Sequence, residues 1–372
     1  MSEITAITMP KWGLTMTEGT VVGWLKQQGQ SFVEGEEILE IESPKITNVV
    51  EASSAGTLRR IVAQAGVTLP VGGLLAVVAG DEVPEAEIDA FVADFAVPEP
   101  TAGEEAEAEG VKPQDIEVAG RRLRYLDLGE GGGVPVLLVH GFGADLNTWM
   151  FTQPPLAVTR RTVALDLPGH GGSAKEVGAG DADSLTDAVE GALGALGLER
   201  VHLVGHSMGG AIAALVASRQ PERVASLTLI ASAGLGPEIN ASFIDGFVRA
   251  SRRREAAEVL GLLVDDPALV SRAMVEDVLR YKRLDGVTAA LAKIAEAWFD
   301  GGRQSLDLTG RIAALTMPVQ LVWGRNDRII PVTHAEALAA RLPVHIVDAA
   351  GHLPHMEKSA EVNRMIGEFV RG

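Results

Sequence analysis

The stretch from Val201 to Ser218, VHLVGHSMGGAIAALVAS, constrains the fold more than any other part of the sequence. It reads as a buried apolar strand, a sharp turn and an apolar helix, and Gly205, Ser207 and Gly209 at the turn form a G-x-S-x-G pattern. A serine on such a strained turn tolerates no bulk two residues to either side, which explains the two glycines. Ser207 is therefore the candidate nucleophile.

Apolar strand-like runs alternate with helical stretches from about Ile116 onward. Besides the strand before Ser207, the runs are VPVLLVHG, RTVALDLPG, VASLTLIAS, MPVQLVWG and VHIVDAA. Continuous apolar runs are typical of strands buried on both faces, so the pattern predicts a largely parallel α/β sheet. Between Gly236 and about Asp307 helical segments interrupt the strands, and we predict a helical cap over Ser207 there, about residues 236–307.

A serine nucleophile needs a base that is oriented by a carboxylate, and in this kind of sheet the chain order is serine, acid, histidine. Asp327, in LVWGRNDRIIP, follows one predicted strand, and His352, in DAAGHLPHMEK, follows the next. Both are expected on loops at the carboxyl edge of the sheet, beside Ser207. The sequence therefore predicts a Ser207–His352–Asp327 triad.

Three other residues compete for these roles. His206 adjoins the serine and His355 lies three residues beyond His352, but an elbow neighbour points away from its nucleophile and the G-H-x-P-H-x-E pattern puts the base first. Asp348 ends a strand just before the histidine loop, where it would only cap or form a salt bridge. The motif context favours His352 and Asp327.

The stretch LLVHGFGADLNTW predicts the other half of an oxyanion hole. His140 and Gly141 follow a strand, so the backbone N–H of Phe142 is expected to join that of Met208 around a carbonyl oxygen. Removing one such donor costs roughly 10²–10³ in rate. Phe142 and Met208 are thus the candidate oxyanion-hole residues.

The first 80 residues contain an internal repeat with an offset of 37 residues. EGTVVGWLKQQGQSFVEGEEILEI aligns with AGTLRRIVAQAGVTLPVGGLLAVV. Short β-branched runs punctuated by glycine predict an all-β domain of two similar halves around a pseudo-twofold axis. At the joint, Lys45 follows Pro44 in a pattern typical of a tight turn that projects the lysine into solvent. Such a lysine is ordinarily a solvated charge.

Residues 81–115 form an acidic boundary segment with twelve acids and one base. From Ala96 to Gln114 there is almost nothing apolar to bury, so we predict an extended, self-repelling linker. About 19 flexible residues have a typical end-to-end distance near 25 Å, which would hold a tethered group at millimolar effective concentration. The residues near 85–95 differ, because they predict a short amphipathic helix that starts near Pro84.

The predicted helix carries an apolar stripe at i, i+3, i+4 and i+7: Ile88, Phe91, Val92 and Phe95. The stripe packs either on one of the chain's own domains or on a partner subunit, and the sequence leaves both alternatives open.

Composition excludes several classes of function. The 372 residues contain no cysteine, which excludes disulfides, cysteine-ligated metals and a thiolate nucleophile and fits a reducing compartment. Lysines and arginines number 32 against 50 acids, and the net charge of −18 disfavours nucleic acid and anionic membranes as partners. No stretch is apolar and long enough for a membrane helix, and no signal peptide is evident. We expect a cytoplasmic protein with no metal site.

The N-terminal motifs MPKWGLTMTEGTVVGWLK and GEEILEIES, with the central lysine, resemble the lipoyl domain of 2-oxo-acid and acetoin dehydrogenase complexes over residues 1–80. The resemblance implies that Lys45 carries lipoic acid in amide linkage, although Ser43-Pro44 replaces the Thr-Asp or Ser-Asp that often precedes this lysine. Biotinyl domains share the fold but flank their lysine with methionines. Pro44 and Ile46 stand here, which favours lipoyl over biotinyl.

The remaining motifs, HGFG, DLPGHGGS, GHSMGG, WGRNDRIIP and GHLPHMEK, resemble the α/β-hydrolase superfamily over about residues 116–372, in the expected order. As a whole, the chain resembles the dihydrolipoamide acetyltransferase components of acetoin dehydrogenase complexes. The resemblance implies transfer of an acetyl group from the dihydrolipoyl arm to coenzyme A. It also implies three partners, which are a thiamine-diphosphate-dependent acetoin-cleaving enzyme, dihydrolipoamide dehydrogenase and a lipoate ligase.

Two other functions remain as alternatives. The same triad would serve water as the acceptor, which would make the chain a thioesterase or an ester or carbon–carbon hydrolase; a pure lipoyl carrier or scaffold is the non-enzymatic alternative. Basic residues of the predicted cap could meet a phosphorylated cofactor such as coenzyme A, or could form an exposed helical face balanced by glutamates. They are Arg252, Arg253, Arg254, Lys282 and Arg283.

Overall fold

The computed structural model describes residues 4–10, 12, 16–42, 47–52, 54–96 and 111–371. The chain divides into a smaller unit, built mainly from residues 1–110, and a larger unit, built mainly from residues 111–372. Lys45 lies outside the described residues, as do 97–110 of the predicted linker.

The described residues of the smaller unit include eight strands in two four-stranded sheets, in which all neighbouring strands are antiparallel. One sheet has the order β1-β8-β6-β3 and the other β5-β4-β2-β7. The strands are β1 Thr5–Thr8, β2 Glu18–Trp24, β3 Ser31–Phe32, β4 Glu37–Glu42, β5 Thr47–Glu51, β6 Gly56–Ile61, β7 Thr68–Pro70 and β8 Leu74–Val78.

The sequence repeat accounts for this arrangement. The offset of 37 converts β2 into β6, β3 into β7 and β4 into β8, and the two sheets contain these counterparts in the same order. Turn glycines repeat with it, because Gly29 and Gly66 have φ of 89° and 86°, a conformation that L side chains rarely adopt. The predicted all-β domain of two similar halves is confirmed.

The predicted helix is present as α1, Glu85–Asp94. Ile88 is fully buried in a cluster with Leu74, Val77, Ala79 and Val83 of the same unit, and the rest of the apolar stripe is partly buried against it. Arg60 forms ion pairs of 2.8 Å with both Glu85 and Asp89. Of the two alternatives for the stripe, the structure therefore favours packing on the helix's own domain.

The larger unit is built on an eight-stranded sheet with the order β18-β17-β14-β13-β11-β12-β10-β9. Within this sheet, the strands β18, β17, β14, β13, β11 and β12 are each parallel to their neighbours in that series. Only the β9–β10 and β10–β12 pairs of the sheet are antiparallel. The strands are β9 Gln114–Val118, β10 Arg121–Leu128, β11 Val136–Val139, β12 Thr162–Leu165, β13 Val201–His206, β14 Val224–Ile230, β17 Val319–Gly324 and β18 Val344–Val347. The predicted, largely parallel α/β sheet is confirmed.

The first strand of this sheet begins slightly earlier than the sequence predicts. Gln114 and Asp115, assigned above to the boundary segment, pair with Tyr125 and Arg124 of β10. The Tyr125 hydroxyl donates to the Gln114 side chain at 2.9 Å, and Asp115 forms an ion pair with Arg122. Polar residues begin the strand because they face partners at the edge of the sheet.

Helices flank the sheet and form the cap. Outside the cap they are α2 Gln153–Ala157, α3 Ala182–Ala195, α4 Met208–Arg219, α9 Thr309–Ala313, α10 Thr333–Glu336, α11 Pro354–Glu357 and α12 Ser359–Phe369, with short 3₁₀ turns at Leu146–Trp149 and Pro221–Arg223; a third 3₁₀ turn, Pro267–Leu269, lies within the cap. Between β14 and β17 the cap contains α5 Ala241–Arg249, α6 Arg253–Leu260, α7 Arg272–Lys282, α8 Val287–Trp298 and a hairpin of β15 Phe299–Asp300 and β16 Arg303–Gln304.

Candidate active site

Ser207 stands alone between the end of β13 and the start of α4, with φ 54° and ψ −120°. A positive φ at a residue with a side chain is a strained conformation that costs about 1–3 kcal/mol and persists only where the surroundings enforce it. The flanking glycines allow it, because a Cβ at Gly205 would overlap the Gly209 carbonyl oxygen and one at Gly209 would overlap that of His140. The elbow predicted from the sequence is present.

His352 and Asp327 meet as predicted. The His352 Nδ1 lies 2.8 Å from Asp327 Oδ2, and both side chains are buried. The other Asp327 oxygen accepts the backbone N–H groups of Ile329 and Ile330 at 2.8 and 3.0 Å. A carboxylate held in this way fixes the histidine tautomer with the proton on Nδ1 and leaves Nε2 as a base.

The histidine loop reaches the elbow through His206. The His206 Nε2 donates to the His352 carbonyl oxygen at 2.8 Å, and the two ring centroids are 4.8 Å apart. Within the described part of the chain, no hydrogen bond to the Ser207 hydroxyl is formed. The structure therefore joins the acid to the base and places the loop of the base beside the elbow.

The competing residues have other partners. His355 is fully buried, its Nε2 lies 3.3 Å from the Thr148 hydroxyl, and burial lowers its pKa to about 3. Burial, with the neighbouring histidines, holds the pKa of His206 well below its usual range. Asp348 is largely exposed and forms an ion pair with Arg325. The partners of the three side chains are thus the His352 carbonyl oxygen for His206, Thr148 for His355 and Arg325 for Asp348.

The two candidate oxyanion donors both lie beside Ser207. Met208 is the first residue of α4, and a Cβ added at Gly141, next to Phe142, would lie 3.0 Å from the Ser207 Cβ. Among the described residues, neither the Phe142 nor the Met208 backbone N–H has a hydrogen-bond partner. Both are free to bind an oxygen, and the start of α4 adds the favourable end of a helix dipole.

His140 holds the Phe142 peptide in place, a role that sequence reasoning missed. Its Nδ1 donates to the Gly141 carbonyl oxygen at 2.8 Å, and its Nε2 accepts the Leu167 N–H at 3.0 Å. The Gly141 carbonyl and the Phe142 N–H belong to one planar peptide, so fixing the oxygen fixes the direction of the N–H. Burial lowers the pKa of His140, which favours the neutral ring that these two bonds require.

Glu357, the last residue of the G-H-x-P-H-x-E pattern, was also missed. One oxygen accepts the Gly351 N–H at 2.8 Å, and the other accepts the Asp265 N–H at 2.6 Å. Gly351 precedes the candidate base and Asp265 belongs to the cap segment, so a single buried carboxylate bridges the two. The only feature of the sequence that could have indicated this role is the position of Glu357 at the end of the G-H-x-P-H-x-E pattern.

Comparison with known proteins places the chain in a family. The model described as alpha/beta hydrolase fold matches residues 134–359, and the one described as biotin-requiring enzyme matches residues 5–78. Over 371 residues the chain is 49% identical to a Pseudomonas putida protein described as the dihydrolipoyllysine-residue acetyltransferase component of an acetoin cleaving system, with all of both chains covered. The chain belongs to this family.

One further relative shares that description, and one solved structure resembles the larger unit alone. A Cupriavidus necator protein of the same description is 46% identical over 369 residues, which is 99% of this chain and 98% of the relative. Among solved structures, 2-hydroxy-6-oxo-6-phenylhexa-2,4-dienoate hydrolase from Rhodococcus sp. strain RHA1 matches with a TM-score of 0.62 and 25% identity, over 70% of this chain and all of that one.

Lys45, the predicted site of lipoic acid attachment, lies in the sequence between β4 and β5. These two strands pair antiparallel with Glu42 opposite Thr47, so the segment that contains Lys45 connects two neighbouring strands. Lys45 itself lies outside the described residues. Its modification remains a prediction.

The basic residues of the cap do not converge on one site. Arg253 and Arg254 form ion pairs of 2.8 Å with Glu276 and Glu258. The Lys282 ammonium donates to backbone carbonyls at the end of α5, those of Phe247, Val248 and Ala250. These contacts favour the alternative in which the charges are balanced locally.

The described residues contain no group of three or more potential ligands arranged to hold a metal ion. No described helix is both long enough and apolar enough to cross a membrane.

Proposed function

We propose that this protein transfers an acetyl group from a dihydrolipoyl arm on Lys45 to the thiol of coenzyme A, through Ser207. The observation that carries the proposal is the buried Asp327–His352 hydrogen bond of 2.8 Å beside the Ser207 elbow, in a chain that belongs to the acetyltransferase components of acetoin cleaving systems. Lipoic acid is the cofactor expected of that family, and it supplies a thiol that carries the acetyl group as a thioester.

The proposed first half-reaction acylates the serine. His352 Nε2 removes the hydroxyl proton of Ser207 while Oγ attacks the thioester carbonyl carbon. The Phe142 and Met208 N–H groups stabilise the negative charge that develops on the carbonyl oxygen. As the carbon–sulfur bond breaks, His352 returns the proton to the departing sulfur, and Ser207 keeps the acetyl group as an ester.

The proposed second half-reaction regenerates the serine. His352 removes the proton of the coenzyme A thiol, whose sulfur attacks the acetyl-serine carbonyl carbon, and then gives that proton to Ser207 Oγ as the ester bond breaks. The products are acetyl-coenzyme A and the free serine. Asp327 stabilises the imidazolium that forms in each half-reaction.

The partners proposed for this reaction follow from the same family membership. A thiamine-diphosphate-dependent enzyme that cleaves acetoin would load the arm, dihydrolipoamide dehydrogenase would reoxidise it, and a lipoate ligase would attach it to Lys45. The acidic segment predicted as a linker would keep the arm near Ser207 at high effective concentration. We propose that this cycle operates in the cytoplasm.

The test combines mass spectrometry with product analysis. The protein is lipoylated, its reduced arm is acetylated, coenzyme A is added, and the wild type is compared with Ser207→Ala and Lys45→Arg. Acetyl-coenzyme A from the wild type alone supports the proposal. Acetyl-coenzyme A from Ser207→Ala would refute the acyl-serine route in favour of direct transfer between thiols.

The second candidate is a hydrolase, favoured by the structural likeness of the larger unit to a hydrolase with a TM-score of 0.62. In that case water would replace the thiol in the second half-reaction. The same experiment separates the two, because a hydrolase would release free acetate from the wild type in the presence of coenzyme A.

A further inference from the structure

A cleft of about 250 Å³ lies in the cap between α5 and α8. Its lining is chiefly apolar and includes Ile244, Val248, Ala292, Ala295 and Phe299. Lys282 fixes one wall by binding the carbonyl groups at the end of α5. The cleft is thus a preformed groove in the larger unit, and the mechanism above gives it no role.

One end of the cleft adjoins the oxyanion-hole residue. Phe299, which lines the cleft, packs edge-on against Phe142 with ring centroids 6.1 Å apart. Phe142 also packs against Phe247 of α5 at 6.0 Å. A ligand in the cleft is therefore separated by one aromatic ring from a residue whose N–H is a proposed oxyanion donor.

Another part of the cleft wall is connected to the loop of the triad acid. Ile239 lines the cleft, and the next residue, Asn240, donates its backbone N–H to the Ile329 carbonyl oxygen at 2.9 Å. The Asn240 side chain donates to the Arg328 carbonyl oxygen at 2.8 Å. Ile329 in turn donates its N–H to Asp327. Two separate sets of contacts therefore join residues of the cleft wall to residues next to the active site.

The charges on the lining indicate which substrate enters. Asp245 and Glu296 contribute two carboxylates and Arg249 one guanidinium, so the lining has a net charge of −1. A net negative charge disfavours the phosphates of coenzyme A, whereas it leaves a neutral ligand unaffected. The dihydrolipoyl arm is a thin, apolar, uncharged chain that ends in the reacting thioester, and it suits a narrow groove of alanine, valine and isoleucine side chains.

We infer that the cleft between α5 and α8 admits the acylated dihydrolipoyl arm to Ser207, and that coenzyme A reaches the acetyl-serine by another route. This inference rests on the proposed function and assigns its first substrate to a named surface.

Two exposed alanines on α8 provide a matched pair of variants. Ala292 lines the cleft, while Ala289 is exposed on the same helix and does not line it. In the Lys45→Arg chain, which has no arm of its own, free S-acetyldihydrolipoamide and coenzyme A serve as the two substrates. Ala292→Trp should raise the KM for S-acetyldihydrolipoamide relative to that for coenzyme A by about tenfold, since the indole fills the groove. Ala289→Trp should leave both KM values as they are.

Two results would overturn the inference. One is an equal ratio of the KM for S-acetyldihydrolipoamide to the KM for coenzyme A in the two tryptophan variants. The other is that Ala292→Trp raises the KM for coenzyme A more than that for S-acetyldihydrolipoamide. Ala295→Leu, a smaller change within the cleft, repeats the measurement should the indole disturb the helix.

Failure of the proposed function would look different, because the wild type would then form no acetyl-coenzyme A from S-acetyldihydrolipoamide. In that event, calorimetric binding of dihydrolipoamide decides the cleft assignment. Binding that is lost in Ala292→Trp and kept in Ala289→Trp supports it, and equal or absent binding in both overturns it.

Discussion

The backbone N–H of His352 donates a hydrogen bond of 2.8 Å to the carbonyl oxygen of Leu263, which ties the loop of the candidate base to the cap. Nearby, Arg328 donates to the Gly261 and Val264 carbonyl oxygens, and Glu357 bridges Gly351 and Asp265. The cap segment around residues 261–265 is thus hydrogen-bonded to the loops of both the base and the acid. Changes in this segment should affect chemistry as well as substrate access.

Glu357→Gln tests this connection. The amide retains one acceptor oxygen, so one of the two buried N–H groups loses its partner, at a cost of about 1–3 kcal/mol in the free energy of unfolding. Because the lost bond also positions the His352 loop, we expect kcat to fall about tenfold with little change in KM. Steady-state kinetics and denaturant unfolding measure the two effects.

The control for Glu357→Gln is Glu361→Gln, at an exposed position in α12. It should change neither quantity. A Glu357→Gln enzyme with wild-type kcat would show that the bridge has no part in positioning the base.

His140→Ala tests the orientation of the Phe142 peptide. Without the donor to the Gly141 carbonyl oxygen, that peptide is free to rotate, and loss of one oxyanion donor lowers kcat by roughly 10²–10³. The KM should change little, because the donor acts on charge that develops in the transition state. His140→Asn, which retains a side-chain N–H, should recover part of the rate.

His345→Ala, at a half-buried position in β18, is the control for His140→Ala. If His140→Ala lowered the rate only through a raised KM, the peptide-orienting role would be wrong.

Local motifs were enough to predict the fold and the contact between Asp327 and His352. The repeat with an offset of 37 predicted the two matching sheets, and the order of the GHSMGG, WGRNDRIIP and GHLPHMEK motifs predicted that Asp327 and His352 would meet. The contacts of His140 and Glu357 could not be predicted in this way. Each bonds one backbone group close to it in sequence and one far from it, Leu167 for His140 and Asp265 for Glu357. The distant partner depends on how loops pack and leaves no periodic signal.

The helix α1 is another case in which the sequence predicts an element but not its contacts. Its apolar stripe predicted a buried face, but the periodicity of a helix does not identify the surface that covers it. The covering residues, Leu74 and Val77, come from β8. Only the three-dimensional structure distinguishes this packing from a surface for a partner subunit.

Substitutions in α1 should therefore affect stability first. Ile88→Ala removes a fully buried side chain and should lower the free energy of unfolding of the smaller unit by about 2–5 kcal/mol. Ala90→Ser, on the exposed face of the same helix, is the control and should have little effect. Thermal unfolding of the two variants measures the difference.

The double variant Phe91→Ser and Phe95→Ser separates the two roles of the stripe. At a temperature where the variant stays folded, its co-purification with the proposed acetoin-cleaving partner should equal that of the wild type. If a folded variant no longer co-purified with this partner, the apolar stripe would be a docking surface for the partner subunit.

Buried neutral histidines should make the larger unit sensitive to acid. Burial, followed by the charge of His352, lowers the pKa of His355 to about 3, and burial, followed by His140, lowers that of His170 to about 3. Between pH 6.5 and about 3 the unfolded chain binds a proton at each position that the folded chain does not bind. The unfolded state therefore gains stability as the pH falls, and each histidine contributes up to about 1.4 kcal/mol per pH unit within this window.

We expect the free energy of unfolding to decrease steadily from pH 7 to pH 5. The fluorescence of the buried Trp149 and Trp323 reports the unfolding at each pH. His355→Gln retains an amide that can bind the Thr148 hydroxyl but does not titrate, so it should make this decrease less steep by about one histidine's share. His345→Gln in β18 serves as the comparison. An equal change of slope in both variants would mean that burial of His355 is not the cause of the acid sensitivity.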